Sequence, residues 1–110
     1  MSDDAPLGTF EEQVMLAVLR TSRESYGMSV RREIERVTER DVTIGAVYAT
    51  LDRLEAKELI ASSRSRSEGA TRRLFEVTRR GARALAESRA MRERLWRGVE
   101  LGRLLGEAGR

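Results

Sequence analysis

Apolar residues recur along this chain with a period of about 3.6 up to residue 57, about 2 over the next twenty or so, and a helical spacing again thereafter. The resulting order is helix, helix, helix, strand, strand, helix. Adjacent strands joined by a short turn make a hairpin. The order is that of a winged helix-turn-helix with a helix appended. The expected fold is therefore mainly α with a small β-hairpin, followed by a long C-terminal dimerisation helix.

The expected elements can be placed residue by residue. Residues 1–8, "MSDDAPLG", form a flexible, acidic N-terminus without a hydrophobic signal core. Thr9 and Glu12 have capping-box spacing and open a first helix over Phe10–Arg20. A second helix spans Gly27–Glu39, with Val30, Ile34 and Val37 at helical spacing. Thr43 is a good N-cap for a third, Ile44–Lys57. The stretches "LIASSRS" and "RRLFEV" read as strands around "RSEGA", with Gly69 in the turn and Phe75 and Val77 on one face. Thr78 caps a last helix over Arg79–Leu105. Residues 9–78 make the winged unit and 79–110 the dimerisation helix.

The third helix is unusual in what it leaves outside. In "IGAVYATLDRLE" the inner face is Ile44, Val47, Leu51 and Leu54, while Gly45, Ala46, Ala49 and Arg53 stand opposite. A helix lying in a DNA major groove must bring its backbone close to base edges. Gly45, Ala46, Ala49 and Thr50 remove obstacles, and the amides near Thr43 and Ile44 favour a phosphate. Tyr48 sits at the edge of the face and Arg53 one turn on. Bare alanine also suits an ordinary surface helix or close helix packing. Charge in the hairpin favours nucleic acid. Ser62–Arg83 holds seven arginines against two acids, Glu68 and Glu76. Arg64, Arg66, Arg72 and Arg73 are expected to project from the wing toward phosphates or a minor groove.

The run Val14–Leu19 is apolar nearly all round, which argues that a partner subunit covers what the chain's own core does not. Ala84, Ser88, Met91, Leu95, Gly98, Gly102 and Leu105 step by four and three along the last helix, a coiled-coil seam. A homodimer exchanging its first and last helices is expected. Phe10, Val14, Val18, Met91, Leu95, Trp96 and Val99 would form its interface or line a ligand pocket. Trp96 suits either an interface anchor or a platform for a ligand.

The chain has 110 residues, enough for one small domain, with 35% charged residues and a formal net charge of +3. That excess is too small to argue nucleic acid without the local clustering. There is no Cys and no His. Cys/His zinc sites, disulfides, Cys nucleophiles and Ser-His-Asp triads are excluded, and no cofactor, metal site or enzymatic constellation is expected. No apolar run reaches the ~20 residues of a membrane span. A cytoplasmic protein without membrane contact is the expectation.

"YG" at Tyr26–Gly27, "GAVYATLDRLE" at Gly45–Glu55, "LI" at Leu59–Ile60, "RRLFEVT" at Arg72–Thr78 and "RRG" at Arg79–Gly81 together resemble the PadR family of bacterial transcriptional regulators. The likeness spans roughly residues 10–85, in order and spacing. It implies a winged helix-turn-helix homodimer held by its C-terminal helix. Its single C-terminal helix resembles the short subgroup. Function is usually repression released by a ligand or signal, and the two-fold symmetry of such a dimer on double-stranded DNA implies an inverted-repeat operator. Some short relatives bind small planar or hydrophobic effectors between tryptophans. The resemblance places Gly45–Arg53 on the recognition helix and Arg72 and Arg73 at the basic start of the second wing strand. Glu58 stands where the family commonly has glycine, so a different ending is expected for the third helix. A protein-interaction adaptor, docking a protein on the bare helix, is the rival reading.

Overall fold

A computed structural model describes residues 6–67 and 69–106. Its elements are α1 (Thr9–Arg20), α2 (Gly27–Thr38), α3 (Ile44–Ala56), β1 (Ile60–Ser67), β2 (Ala70–Val77) and α4 (Arg79–Trp96). The element order and the fold class match the sequence reading. The flexible N-terminus expected for residues 1–8 lies largely outside the described residues, as does Glu68 in the turn.

One core joins the first three helices to the base of the hairpin. Val14, Met15 and Val18 of α1 meet Val30 and Ile34 of α2 and Val47, Leu51 and Leu54 of α3, with Ile60 and Phe75 closing the end. Burying a Val, Leu, Ile or Phe side chain contributes about 1.5–3 kcal/mol, so this cluster dominates the fold's stability.

The polar contacts set the angles between elements. Arg31 Nε donates to Val42 O at 2.8 Å, and Val42 N donates to Glu35 Oε2 at 2.9 Å. Both backbone groups of Val42 are thus held by α2, which fixes the turn into α3. Ser25, buried, donates through its hydroxyl to Val18 O at 2.7 Å, and its carbonyl accepts from Phe75 N at 2.8 Å. That pair ties the α1–α2 loop to the hairpin.

Several expectations are corrected. The first helix is capped by Gly8, not Thr9. Glu11, not Glu12, reaches back, its Oε1 accepting from Gly8 N at 2.9 Å. A glycine cap offers no side-chain oxygen, so only this half of a box forms. The hairpin is longer than expected, pairing Ile60 with Val77 through to Ser67 with Ala70. The last helix is shorter. It ends at Trp96, after which Arg97 turns extended and Gly98 takes φ +81°. Gly98, Gly102 and Leu105 therefore leave the expected seam. The third helix does take a left-handed end despite Glu58, at φ 64°. Leu59 N donates to Leu54 O at 3.0 Å and Glu58 N to Glu55 O at 2.9 Å, the paired bonds of a Schellman ending. Thr78 caps α4 as expected, accepting from Gly81 N at 3.0 Å.

Candidate nucleic-acid interface

Helix α3 begins at Thr43, whose hydroxyl accepts from Ala46 N at 3.1 Å. Its inner side is Val47, Leu51 and Leu54, each 0% exposed. Gly45, Ala46, Ala49, Asp52 and Ala56 are exposed on the outer side, and the bare face is real. Thr50 does not belong to it. It is 3% exposed. At 100° per residue, position 50 falls nearer to 47 and 54 than to 45 and 49. Tyr48, at 37% exposure, folds over the start of α2. A Cβ added at Gly27 would stand 2.3 Å from its ring carbon Cζ and its hydroxyl, so the Tyr26–Gly27 pair leaves room for this tyrosine.

Arg53 is half exposed but not free. Its Nε lies 3.2 Å from Glu11 Oε2, and Lys57 Nζ lies 3.2 Å from the same oxygen. Sequence reasoning missed Glu11, because a carboxylate early in α1 looks like dipole compensation rather than a tie to α3. Its burial pushes the pKa up. The Gly8 amide, Lys57 and Arg53 outweigh that, and the carboxyl ends below its ordinary value.

The cross-strand register sorts the wing arginines by face. Arg64, Arg66 and Arg73 share one side of the hairpin with Ser62 and Phe75, and Arg72 lies on the other. Arg64 and Arg66 are exposed and have no acidic partner among the described residues. Arg72 stacks over the Tyr26 ring, its guanidinium carbon 4.2 Å from the centroid. Arg73 corrects the expectation of four outward arginines. Its Nη2 lies 2.6 Å from Glu55 Oε1 and 3.0 Å from Asp52 Oδ1. Its Nε donates to Ser62 Oγ at 3.3 Å, and its guanidinium carbon sits 4.8 Å from the Phe75 ring centroid. Ser62 and Arg73 hold the Glu55 carboxyl below its ordinary value. Burial works against the Arg73 charge, yet hydrogen bonds to Glu55 and Asp52 raise its pKa. Asp52 and Glu55 were not singled out in the sequence, where they look like ordinary helix acids. Their i, i+3 spacing facing a strand arginine was the available signal.

The expected interface residues divide. Val14 and Val18 are 0% and 2% exposed within one chain, so its own core covers them. Phe10 is half-buried against that core. On α1, Leu16 and Leu19 are the exposed apolar residues, at 42% and 50%. Leu95, Trp96 and Val99 are at least half exposed. Met91 instead lines an open groove of about 880 Å³ between the end of α3 and α4, with Leu7, Lys57, Leu59 and Ala84. Leu95, Trp96 and Val99 do not line that groove. Among the described residues, no three His, Cys, Asp or Glu side chains gather as a metal site would need, and no helix is long and apolar enough to cross a membrane.

Comparison with known proteins identifies the family of the fold. The model of the transcriptional regulator PadR-like family matches residues 15–87. Transcriptional regulator Rv3488 of Mycobacterium tuberculosis is 38% identical over 76 residues, covering 69% of this chain and 70% of that protein. Among solved structures, a PadR-like transcription factor from Bacteroides fragilis superposes with a TM-score of 0.69 at 25% identity, over 80% of this chain and 84% of that one. A PadR family transcriptional regulator from Eggerthella lenta gives 0.65 at 26% identity, over 84% and 80%. With the match covering the second half of α1, α2, α3, the whole hairpin and the first half of α4, the chain belongs to the PadR-like family of transcriptional regulators, which are DNA-binding proteins rather than enzymes.

Proposed function

We propose that the chain is a homodimeric, sequence-specific binder of double-stranded DNA that represses transcription by occupying an inverted-repeat operator. The winged unit of residues 9–78 would make the DNA contacts and residues 79–110 the subunit contacts. Each α3 would enter a major groove, and each hairpin would grip neighbouring backbone or minor groove.

One observation carries the reading. The 3.0 Å contact between Arg73 and Asp52 holds the hairpin beside the outer face of α3. Arg64 and Arg66, on the same sheet face as Arg73, therefore extend the surface begun by Gly45, Ala46 and Ala49. The first turn of α3 at Thr43 would meet a phosphate, and Tyr48 and Arg72 would flank the groove. Arg53 would reach DNA only by giving up Glu11. Thr50 has no direct part in this arrangement.

Pairing of subunits is supported by Leu16 and Leu19 on α1 and by Leu95, Trp96 and Val99 at the far end of the chain, apolar side chains left uncovered by a single copy. A small hydrophobic or planar effector would enter this seam beside Trp96 and alter the separation of the two α3 helices.

The test is a salt titration of binding to the DNA upstream of the chain's own gene. Log affinity should fall linearly with log salt. Arg64→Ala with Arg66→Ala should flatten that slope by roughly 3 to 4 for a dimer, at about 0.9 per lost phosphate contact. An unchanged slope would take the wing off the DNA, and salt-insensitive binding would favour a protein-docking role for α3.

A further inference from the structure

Gly45, Ala49, Asp52 and Ala56 fall in one line along the exposed side of α3. Asp52 alone among them has a side chain able to make a hydrogen bond, and that side chain is 60% exposed. A carboxylate facing DNA would ordinarily repel it. Here the charge is partly offset by Arg73, which Asp52 shares with Glu55 and which is itself fixed from several sides. Glu55 Oε1 is 2.6 Å from its Nη2, Ser62 Oγ is 3.3 Å from its Nε, and the Phe75 ring lies beneath it. The guanidinium reaches Asp52 at Oδ1, and among the described residues no hydrogen bond reaches Oδ2. The arrangement presents an oriented, acceptor-only group, its charge partly offset, in the middle of a helix otherwise stripped for close approach.

In the major groove an acceptor can be met by two base donors, the N4 amine of cytosine and the N6 amine of adenine. Adenine places its N7 acceptor next to that amine, which opposes a carboxylate. Cytosine has no acceptor there. An aspartate is short and reaches a base edge only when the helix backbone lies close, and Gly45 and Ala49 on the same line permit that. We propose that Asp52 reads a cytosine in each half-site by accepting from its exocyclic amine, with Arg73 as the positioning residue. The proposal rests on α3 occupying the major groove.

The experiment is selection of bound duplexes from a randomised pool, with the full-length protein, Asp52→Ala and Asp52→Asn. The wild type should enrich cytosine at one position of each half-site by about tenfold. Asp52→Ala should lose that preference while still binding duplex in a salt-dependent way, since Glu55 keeps its own contact with Arg73. Asp52→Asn should shift the same position toward adenine, since an amide can both accept from N6 and donate to N7. A merely structural role for Asp52 would not redirect the preferred base. Arg73→Lys should retain a weakened cytosine preference and Arg73→Ala should lose it. Cytosine enrichment persisting in Asp52→Ala would overturn the proposal while leaving the placement of α3 intact. Failure of the wild type to bind any duplex in a salt-dependent way would overturn both.

Discussion

Glu58 sits in the left-handed region at φ 64°, a conformation that costs a non-glycine residue about 1–2 kcal/mol. The residue identity alone argued for a different ending to α3. Tertiary contacts override it. Thr78 donates through its hydroxyl to Glu58 O at 2.8 Å, and Leu59 O accepts from Thr78 N at 3.1 Å. These bonds join the end of α3 to the start of α4 and leave the chain no other path. The Arg80 contact to the Glu58 carboxylate, at 3.5 Å between exposed groups, adds little. Glu58→Gly should therefore raise stability by about 1 kcal/mol, read as a higher urea midpoint with an unchanged m-value. Thr50 teaches the converse. Its small polar side chain suited either face, and only its angular position beside Val47 and Leu54 decided for the interior.

At the scale of elements, three carboxylates each bridge two of them. Glu11 links α1 to α3 through Arg53 and Lys57, and Glu55 links α3 to the hairpin through Ser62 and Arg73. Glu33 of α2 holds Arg36 and reaches Arg20 of α1 at 2.6 Å, and these two arginines lower its pKa to about 2. All three pKa values are lowered in the folded chain, so the unfolded chain binds more protons in acid. Their contribution is complete above the ordinary value of 4.5 and is lost as pH falls through the lowered values. The melting temperature should be level near pH 6, decline below about pH 4.5, and decline less in Glu55→Gln, which has one such group fewer. Helix existence and order were legible because hydrophobic period reports a buried stripe directly. Ends and ties were not. The paired segment around Arg64–Ser67 has no apolar alternation to announce a strand, since backbone bonds rather than side-chain burial extend it. The last helix lost its final turns to Gly98 at positive φ, a choice of conformation that the repeat of small residues could not reveal.

The whole molecule is elongated, 61 × 35 × 21 Å, with the winged core continued by a helix whose last turn holds Leu95 and Trp96 in the open. The all-round apolar character of α1 was legible as a need for cover. How much the chain itself supplies was not, because that depends on where α2, α3 and the hairpin close over Val14 and Val18. What stays uncovered, Leu16 and Leu19, is the share that the proposed second copy would cover. The candidate interface was legible in its location, the bare helix and the basic wing. Its wiring through Asp52, Arg73 and Glu55 was hidden, because contacts between a helix and a strand some twenty residues on leave no periodic trace.

In the proposed complex α3 and its wing form one cationic surface, presented twice at groove-to-groove distance. Hydroxyl-radical footprinting of the protein on its own upstream DNA tests it directly. Two protected patches related by a dyad are expected, with centres one or two helical turns apart, about 10–21 base pairs. Protection of a single patch, or of two in direct rather than inverted orientation, would contradict it.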